Sequence, residues 1–338
     1  MRTVNAVLLL AGAVCLALLV ERIGARTLWE DSLRLGWGAA IIVAVAVLEH
    51  AMHTAGWRRC FSRGSSPSWP RLFVAFLAGY AVSFATPMTI VGGEVARGGV
   101  LLRDVPAVEV VASITLDRLA YGVADLILGL CGVAVIIAAA PLSGGTRAGI
   151  AAAAGVVGIG VGTFFWLQRR GRLAAFLANH AALRRIVGAQ RAARLADGGA
   201  AVDRRLAAFH ADEPGVFYAS VALHAAGTAV GALQIAIFLD WLGIAFQAQI
   251  VLRVFLVTTA VDLFSFFIPL RLGAQEGGRM LAMSLAGLDP ALGLLFALVI
   301  RVEQIVWAAI GFVVYLAAIV TRLTHAVRDS GRGSPRTN

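Results

Sequence analysis

Two apolar stretches that each end at a proline, 182 residues apart, constrain this chain more than any other feature. Residues 72–86 run into Pro87 and residues 254–268 into Pro269. Arg71, Phe73, Ala78, Ser83, Phe84, Pro87, Glu94 and Arg97 recur as Arg253, Phe255, Ala260, Ser265, Phe266, Pro269, Glu276 and Arg279, so 8 of 27 aligned positions are identical. Each stretch is short for a bilayer crossing, which takes about 20 apolar residues, and proline ends a helix because it has no N–H for the ladder. Gly-rich charged sequence follows each proline, and then another apolar run. The pattern reads as two broken or re-entrant helices whose irregular backbone is buried in protein or lines a polar cavity.

The surrounding composition is that of an integral membrane protein. The chain is 59% hydrophobic and only 14% charged, against about 25% charged for water-soluble domains. Apolar segments 4–20, 36–57, 119–140, 148–168, 215–239 and 296–321 are long enough to span. Segment 4–20 reads as an uncleaved first helix, since no small-x-small cleavage site follows it cleanly. All 29 basic residues are arginine. The net charge of +10 falls between and after apolar segments, where the positive-inside rule places it, and implies no nucleic-acid partner. Cys15, Cys60 and Cys131 lie far apart and suggest neither disulfides nor a metal site.

Charge also sets the orientation. Arg58, Arg59, Arg63 and Arg71 precede the first broken region, nine arginines lie in 169–205, and the tail carries Arg322, Arg328, Arg332 and Arg336. All three groups belong on the cytoplasmic side, with 21–35, 141–147 and 240–250 outside. The expected fold is therefore all-α, with six spanning helices plus two re-entrant hairpins and both termini cytoplasmic. The hairpins enter from opposite sides, so 32–140 and 214–322 form an inverted-topology repeat within one transmembrane domain, 1–338. Transporters with this architecture place the substrate near the midplane, among discontinuous helices. Residues 169–213 carry apolar side chains at near-helical spacing among arginines and suit an amphipathic segment on anionic inner-leaflet lipids. The plainer alternative is a solvated loop split at Gly198-Gly199.

The charged constellation has two readings. Pro87, Gly92 and Gly93 shape the first hairpin, and Pro269, Gly273, Gly277 and Gly278 the second; glycine permits tight turns and close backbone approach. A helix restarting there directs free N–H groups and a positive dipole end into the site, which suits an anion. Arg97, Arg118, Arg279 and Arg301 then offer donors to a phosphate or another polar head. Arg271 and Gln275 add to the second copy, Glu94 and Glu276 set arginine geometry, and Asp117 and Glu303 join the same network. In the other reading the charges are structural ion pairs, Glu94 with Arg118 and Glu276 with Arg301, each locking a hairpin to the next helix. Glu49 and His53 share a helix face without the HExxH order of a zinc site. His50, Asp125, His224, Gln234 and Asp262 read as interhelical hydrogen-bonding residues. No metal site, cofactor motif or nucleotide-binding motif is present.

The stretches Gly-Gly-Glu94-Val-Ala-Arg97-Gly-Gly-Val-Leu-Leu-Arg103, Leu-Asp117-Arg118-Leu and Gly273-Ala-Gln-Glu276-Gly-Gly-Arg279 resemble the transmembrane, flippase-like family of lysylphosphatidylglycerol synthases, and are most similar to its hopanoid-associated branch. The resemblance implies movement of a polar-headed lipid, a phospholipid or a hopanoid type, between leaflets of a bacterial inner membrane. Two-domain members carry a soluble aminoacyltransferase domain after the membrane part. This chain ends soon after its last apolar segment, so lipid aminoacylation by this chain alone is not expected. Two rivals remain: a scaffold that recruits lipid-synthesis enzymes through 169–213, and a membrane-embedded lipid-modifying enzyme. The second lacks any nucleophile–base pairing at recognisable spacing.

Overall fold

The computed structural model describes residues 36–85, 89–102, 104–180, 185, 188–265, 268 and 271–332. The expected first span, 4–20, and the two hairpin prolines, Pro87 and Pro269, lie outside the described residues. Within them all regular structure is helical: α1 (Trp37–Arg59), α2 (Trp69–Ala85), α3 (Thr89–Leu101), α4 (Ala107–Ala139), α5 (Gly144–Arg169), α6 (Leu173–Asn179), α7 (Ala189–Asp212), α8 (Pro214–Trp241), α9 (Ala248–Phe264), α10 (Ala274–Leu285) and α11 (Pro290–Arg332). Five of these, α1, α4, α5, α8 and α11, are long and apolar enough to cross a membrane.

Two of the spans start earlier than hydropathy alone suggests. α4 begins at Ala107 rather than 119, and α11 at Pro290 rather than 296. Prolines set both starts: Pro106 caps α4 and Pro290 opens α11. Glu109, Asp117 and Arg118 interrupt the apolar run of α4, yet each has an ionic partner, so the helix carries them inside protein.

Packing between helices in a bilayer gains nothing from excluding water, so close backbone approach at small residues does much of the work. α1 and α8 run antiparallel along one seam. A Cβ on Gly38 would lie 2.6 Å from Trp241, one on Gly56 2.8 Å from His224 and one on Gly227 2.9 Å from His53. Each ring fills the space that a glycine leaves. α2 pairs with α3 and packs on α11, and α9 pairs with α10 and packs on α4. Gly129 of α4 sits against Leu263 of α9, and Gly311 of α11 sits against Ala81 of α2.

Among the described residues after α5, helices α6 and α7 dock on the bundle. α7 packs on α6, α4 and α5, burying Asp203, Leu206, Phe209 and His210. Gly198-Gly199 stays inside α7: α7 crosses α6 there, and a side chain at Gly199 would collide with Ala174. Arg205 of α7 pairs with Glu109 of α4 at 3.0 Å, and Glu109 also accepts hydrogen bonds from Ser62 and Ser65. Burial, with a smaller contribution from the Arg169 charge, pushes His210 down to about 4.

Candidate functional site

Hairpin geometry differs in detail from the sequence reading. α3 starts at Thr89 and α10 at Ala274, so Gly92, Gly93, Gly277 and Gly278 lie within helices instead of at the turns. Gly93 and Gly278 serve helix contact instead: a Cβ on Gly93 would strike Ser83 and Gly79 of α2, and one on Gly278 would lie 2.6 Å from Val261 of α9. Gly273 does shape the second turn, with φ 76° at the N-cap of α10. Arg271, with φ 51°, also takes the left-handed conformation, which a residue other than glycine adopts rarely.

The restarted helix α10 is not an open anion site. Glu276 accepts the Gly273 N–H through Oε2 at 2.7 Å, while its Oε1 faces Arg301 Nη2 at 2.9 Å. One carboxylate thus caps its own helix and ties it to α11. Arg301 also reaches Gln304 at 3.1 Å. The second expected ion pair, Glu94 with Arg118, is present at 3.2 Å.

The four arginines divide between two environments. Arg97 and Arg118 belong to a neutralised network. Arg97 Nη2 lies 2.8 Å from Asp117 and its Nη1 3.3 Å from Glu94, while its guanidinium stacks 3.9 Å above the Trp57 ring. Arg118 Nη2 reaches the same Asp117 oxygen at 3.1 Å. Asp117 is fully buried, and its other oxygen accepts from His224 Nε2 at 3.0 Å. Two guanidinium cations here face two carboxylates.

Arg279 and Arg301 instead line a cavity of about 360 Å³ together with Arg271, Gln275 and Glu303. The cavity reaches across the molecule: Glu49 and His50 come from α1, Tyr80 from α2, Tyr121 and Asp125 from α4, Thr228 from α8 and Asp262 from α9. Arg279 is 5% exposed. Its Nη1 donates to the Gln275 carbonyl of its own helix at 3.3 Å, its Nε makes no hydrogen bond, and among the described residues no carboxylate lies within 4 Å. The repeat register explains the difference from Arg97. Position 117 holds aspartate, and its mate 182 residues on is Val299, buried in an apolar cluster.

Some contributors were visible only as single polar residues. Asp125 bonds Thr228 at 3.3 Å, Gln275 bonds Asp262 at 3.3 Å, and Gln234 bonds the Ile42 carbonyl at 3.2 Å. In sequence His53 stands out only for sharing a helix face with Glu49, and Trp57, whose place beside the basic segment suggests an interface anchor, is instead fully buried. Among the described residues no group of three or more His, Cys, Asp or Glu is arranged to hold a metal.

A bundle that seats arginine–carboxylate networks between paired half-length helices agrees with the match found for the sequence. The family described as the lysylphosphatidylglycerol synthase TM region matches residues 5–311. The chain belongs to the lysylphosphatidylglycerol synthase transmembrane family. No curated protein and no solved structure gives a significant match. As a member of this lysylphosphatidylglycerol synthase transmembrane family, the chain is a multi-pass membrane protein of a family associated with lipid handling.

Proposed function

We propose that this protein is a flippase-like lipid transporter that moves a polar-headed lipid between the leaflets of a bacterial inner membrane, without a catalytic step or cofactor. The observation that carries this is Arg279: a buried guanidinium with no carboxylate within 4 Å among the described residues, facing a polar cavity between the two hairpin systems. An ionisable side chain held inside a membrane protein is costly and defaults to a functional role. Its repeat mate Arg97 shows how the same fold neutralises such a charge when no ligand is involved. Arg279, with Arg301 and Arg271 beside it, would meet an anionic or strongly polar headgroup, and the acyl chains would stay in lipid.

The finer architecture belongs to the same reading: six spans, two re-entrant hairpins and an inverted repeat of 32–140 and 214–322. Matched contacts support it. The hairpin of each half packs on the long helix of the other, and Gly129–Leu263 becomes Gly311–Ala81 when both residues are shifted by the repeat spacing. The arginines near α6 and α7 support the same orientation, in which that face meets anionic inner-leaflet lipid and both termini are cytoplasmic.

Purification in mild detergent from native membranes, with mass spectrometry of the co-purifying lipid, tests the substrate site. One lipid class enriched with wild type and lost with Arg279→Gln is the expected result. Bulk membrane composition in both samples would rule out the cavity as the headgroup site.

A further inference from the structure

A row of polar side chains, buried except at Glu49, joins the cavity to the Arg97 network. Glu49 lines the cavity at one end. Its Oε1 lies 3.8 Å from His53 Nε2, His53 Nδ1 lies 2.9 Å from His224 Nδ1, and His224 Nε2 lies 3.0 Å from Asp117 Oδ1. His53, His224 and Asp117 are each at most 3% exposed. His53 Nε2 has no hydrogen-bond partner as placed, although a carboxylate is the atom it faces.

Hydrogen counting shows what the row needs. A neutral imidazole has one N–H and one bare nitrogen. His224 Nε2 must donate to Asp117, so its Nδ1 is bare when the ring is neutral and accepts from His53 Nδ1–H. His53 Nε2 is then also bare and points at an ionised Glu49 3.8 Å away, leaving two lone pairs opposed where the cavity meets the buried ring. One more proton resolves the conflict, either on the imidazole pair or on Glu49. That proton also cancels the charge of Glu49, because Asp117 and Glu94 are already balanced by Arg97 and Arg118.

The repeat shows that the fold does not require this row. Shifted by 182 residues, Glu49, His53 and Asp117 become Gly231, Ile235 and Val299, and His224 becomes Ile42. Ile42, Ile235 and Val299 pack in one apolar cluster. The polar row thus occurs once, and the row that the repeat spacing pairs with it holds no charged or hydrogen-bonding side chain.

We infer that Glu49, His53 and His224 form a proton relay that takes up a proton from the cavity and brings it to the imidazole beside Asp117, which stays ionised between Arg97 and Arg118. A proton bonding to His53 Nε2 from Glu49 pushes the Nδ1 proton onto His224 Nδ1. His224 then carries both N–H groups and keeps its bond to the ionised Asp117. The added positive charge competes with Arg97 of α3 for that carboxylate, so the proton content of the cavity governs how firmly the first hairpin grips α4. Other charged or titratable groups face this row. Arg97, Arg118 and Glu94 lie at the Asp117 end, Tyr121 of α4 stands against both rings, and His50, Tyr80, Asp125, Arg271 and Glu303 share the cavity end. The relay stands on the row itself; only its effect on lipid movement rests on the transport reading.

Two measurements separate these. Histidine-15N-labelled protein in nanodiscs, assigned with His53→Gln and His224→Gln, reports the hydrogens directly. The expected result is an N–H···N coupling between the two Nδ1 atoms. It should come with either a third N–H in the pair or an infrared carboxylic-acid band that Glu49→Gln removes. Two uncoupled neutral imidazoles with Glu49 ionised would overturn the relay, whether or not any lipid moves. In vesicles of phosphatidylethanolamine and phosphatidylglycerol carrying a trace of NBD-phosphatidylglycerol, an imposed pH gradient should change the wild-type flip rate several-fold and leave His53→Gln and His224→Gln unresponsive. A wild-type rate indifferent to the gradient, or variants that respond as wild type does, would overturn the coupling.

Discussion

Arg97 and Arg279 occupy equivalent repeat positions, and the structure predicts opposite consequences for removing them. Arg97→Gln leaves Asp117 fully buried with only Arg118 and His224 beside it. Removing one partner of a buried pair costs about 3–5 kcal/mol because it strands the other charge. Stacking on Trp57 at 3.9 Å is lost as well, worth about 1–2 kcal/mol when desolvated. Arg118 retains part of the compensation, so the net expectation is about 3 kcal/mol of destabilisation. Arg279→Gln removes a guanidinium with no carboxylate within 4 Å among the described residues, although Asp262, Glu276 and Glu303 lie within its electrostatic reach. It forfeits one hydrogen bond to the Gln275 carbonyl, worth about 1 kcal/mol, and a long 5.8 Å approach to the Phe296 ring, and it relieves the burial of a charge without a direct ion pair. Stability should therefore change by no more than about 1 kcal/mol in either direction, while lipid movement is abolished. Reversible unfolding in mixed micelles reads the first quantity, and flip of NBD-phosphatidylglycerol in vesicles reads the second. If Arg279→Gln destabilises as much as Arg97→Gln, Arg279 has a structural partner and the reasoning fails. If it flips lipid normally, the cavity arginine is not the headgroup site.

Further outcomes follow from individual contacts. Val299→Asp gives the second half the carboxylate that the first half has, so it should neutralise Arg279, leave the protein folded and stop lipid flip; an active variant refutes the role assigned to the uncompensated charge. Gly227→Leu should drive a side chain into His53 and cost about 1–3 kcal/mol, seen as a lower unfolding midpoint, whereas Gly158→Leu, with open space around it, should be neutral. Docking of α7 should weaken as pH falls. His210 takes up a proton near pH 6.5 when undocked and only near 4 when docked, so stability present above 6.5 is lost through that window, by about 2–3 kcal/mol in total. Hydrogen exchange of residues 189–212 between pH 7.5 and 5 checks this, and His210→Gln should flatten the response. Glu109→Gln, which breaks the Arg205 pair, should raise exchange over the same residues at neutral pH.

Hydropathy and glycine–proline punctuation made the helical, membrane-spanning class legible, along with both short helix pairs and the pairings Glu94–Arg118 and Glu276–Arg301. Spacing alone placed the charges on the correct elements because an i,i+3 relation in a helix fixes a shared face. It failed where tertiary contact decides. Gly93 looks like a turn residue in sequence, yet its place is under Ser83 of α2. The start of α4 was hidden because hydropathy counts Glu109, Asp117 and Arg118 as interruptions, although ion pairs make them tolerable inside a bundle. The cavity was least visible, since its lining comes from α1, α2, α4, α8, α9, α10 and α11. The division of four arginines into two environments was nonetheless written in the chain, as aspartate at 117 against valine at 299.

α4 touches three of these systems at different heights along one rod. Glu109 near its start holds the α7 segment, Asp117 holds the first hairpin, and Gly132 lies against the backbone of Leu256 in α9. At 1.5 Å per residue, Glu109 and Asp117 stand about 35 and about 22 Å from Gly132. A tilt of about 10° pivoting on that glycine would sweep the two carboxylates through about 6 and about 4 Å, further than either ion pair can stretch. α4 is therefore a balance arm: whatever displaces its far end must let go of a clasp nearer the fulcrum.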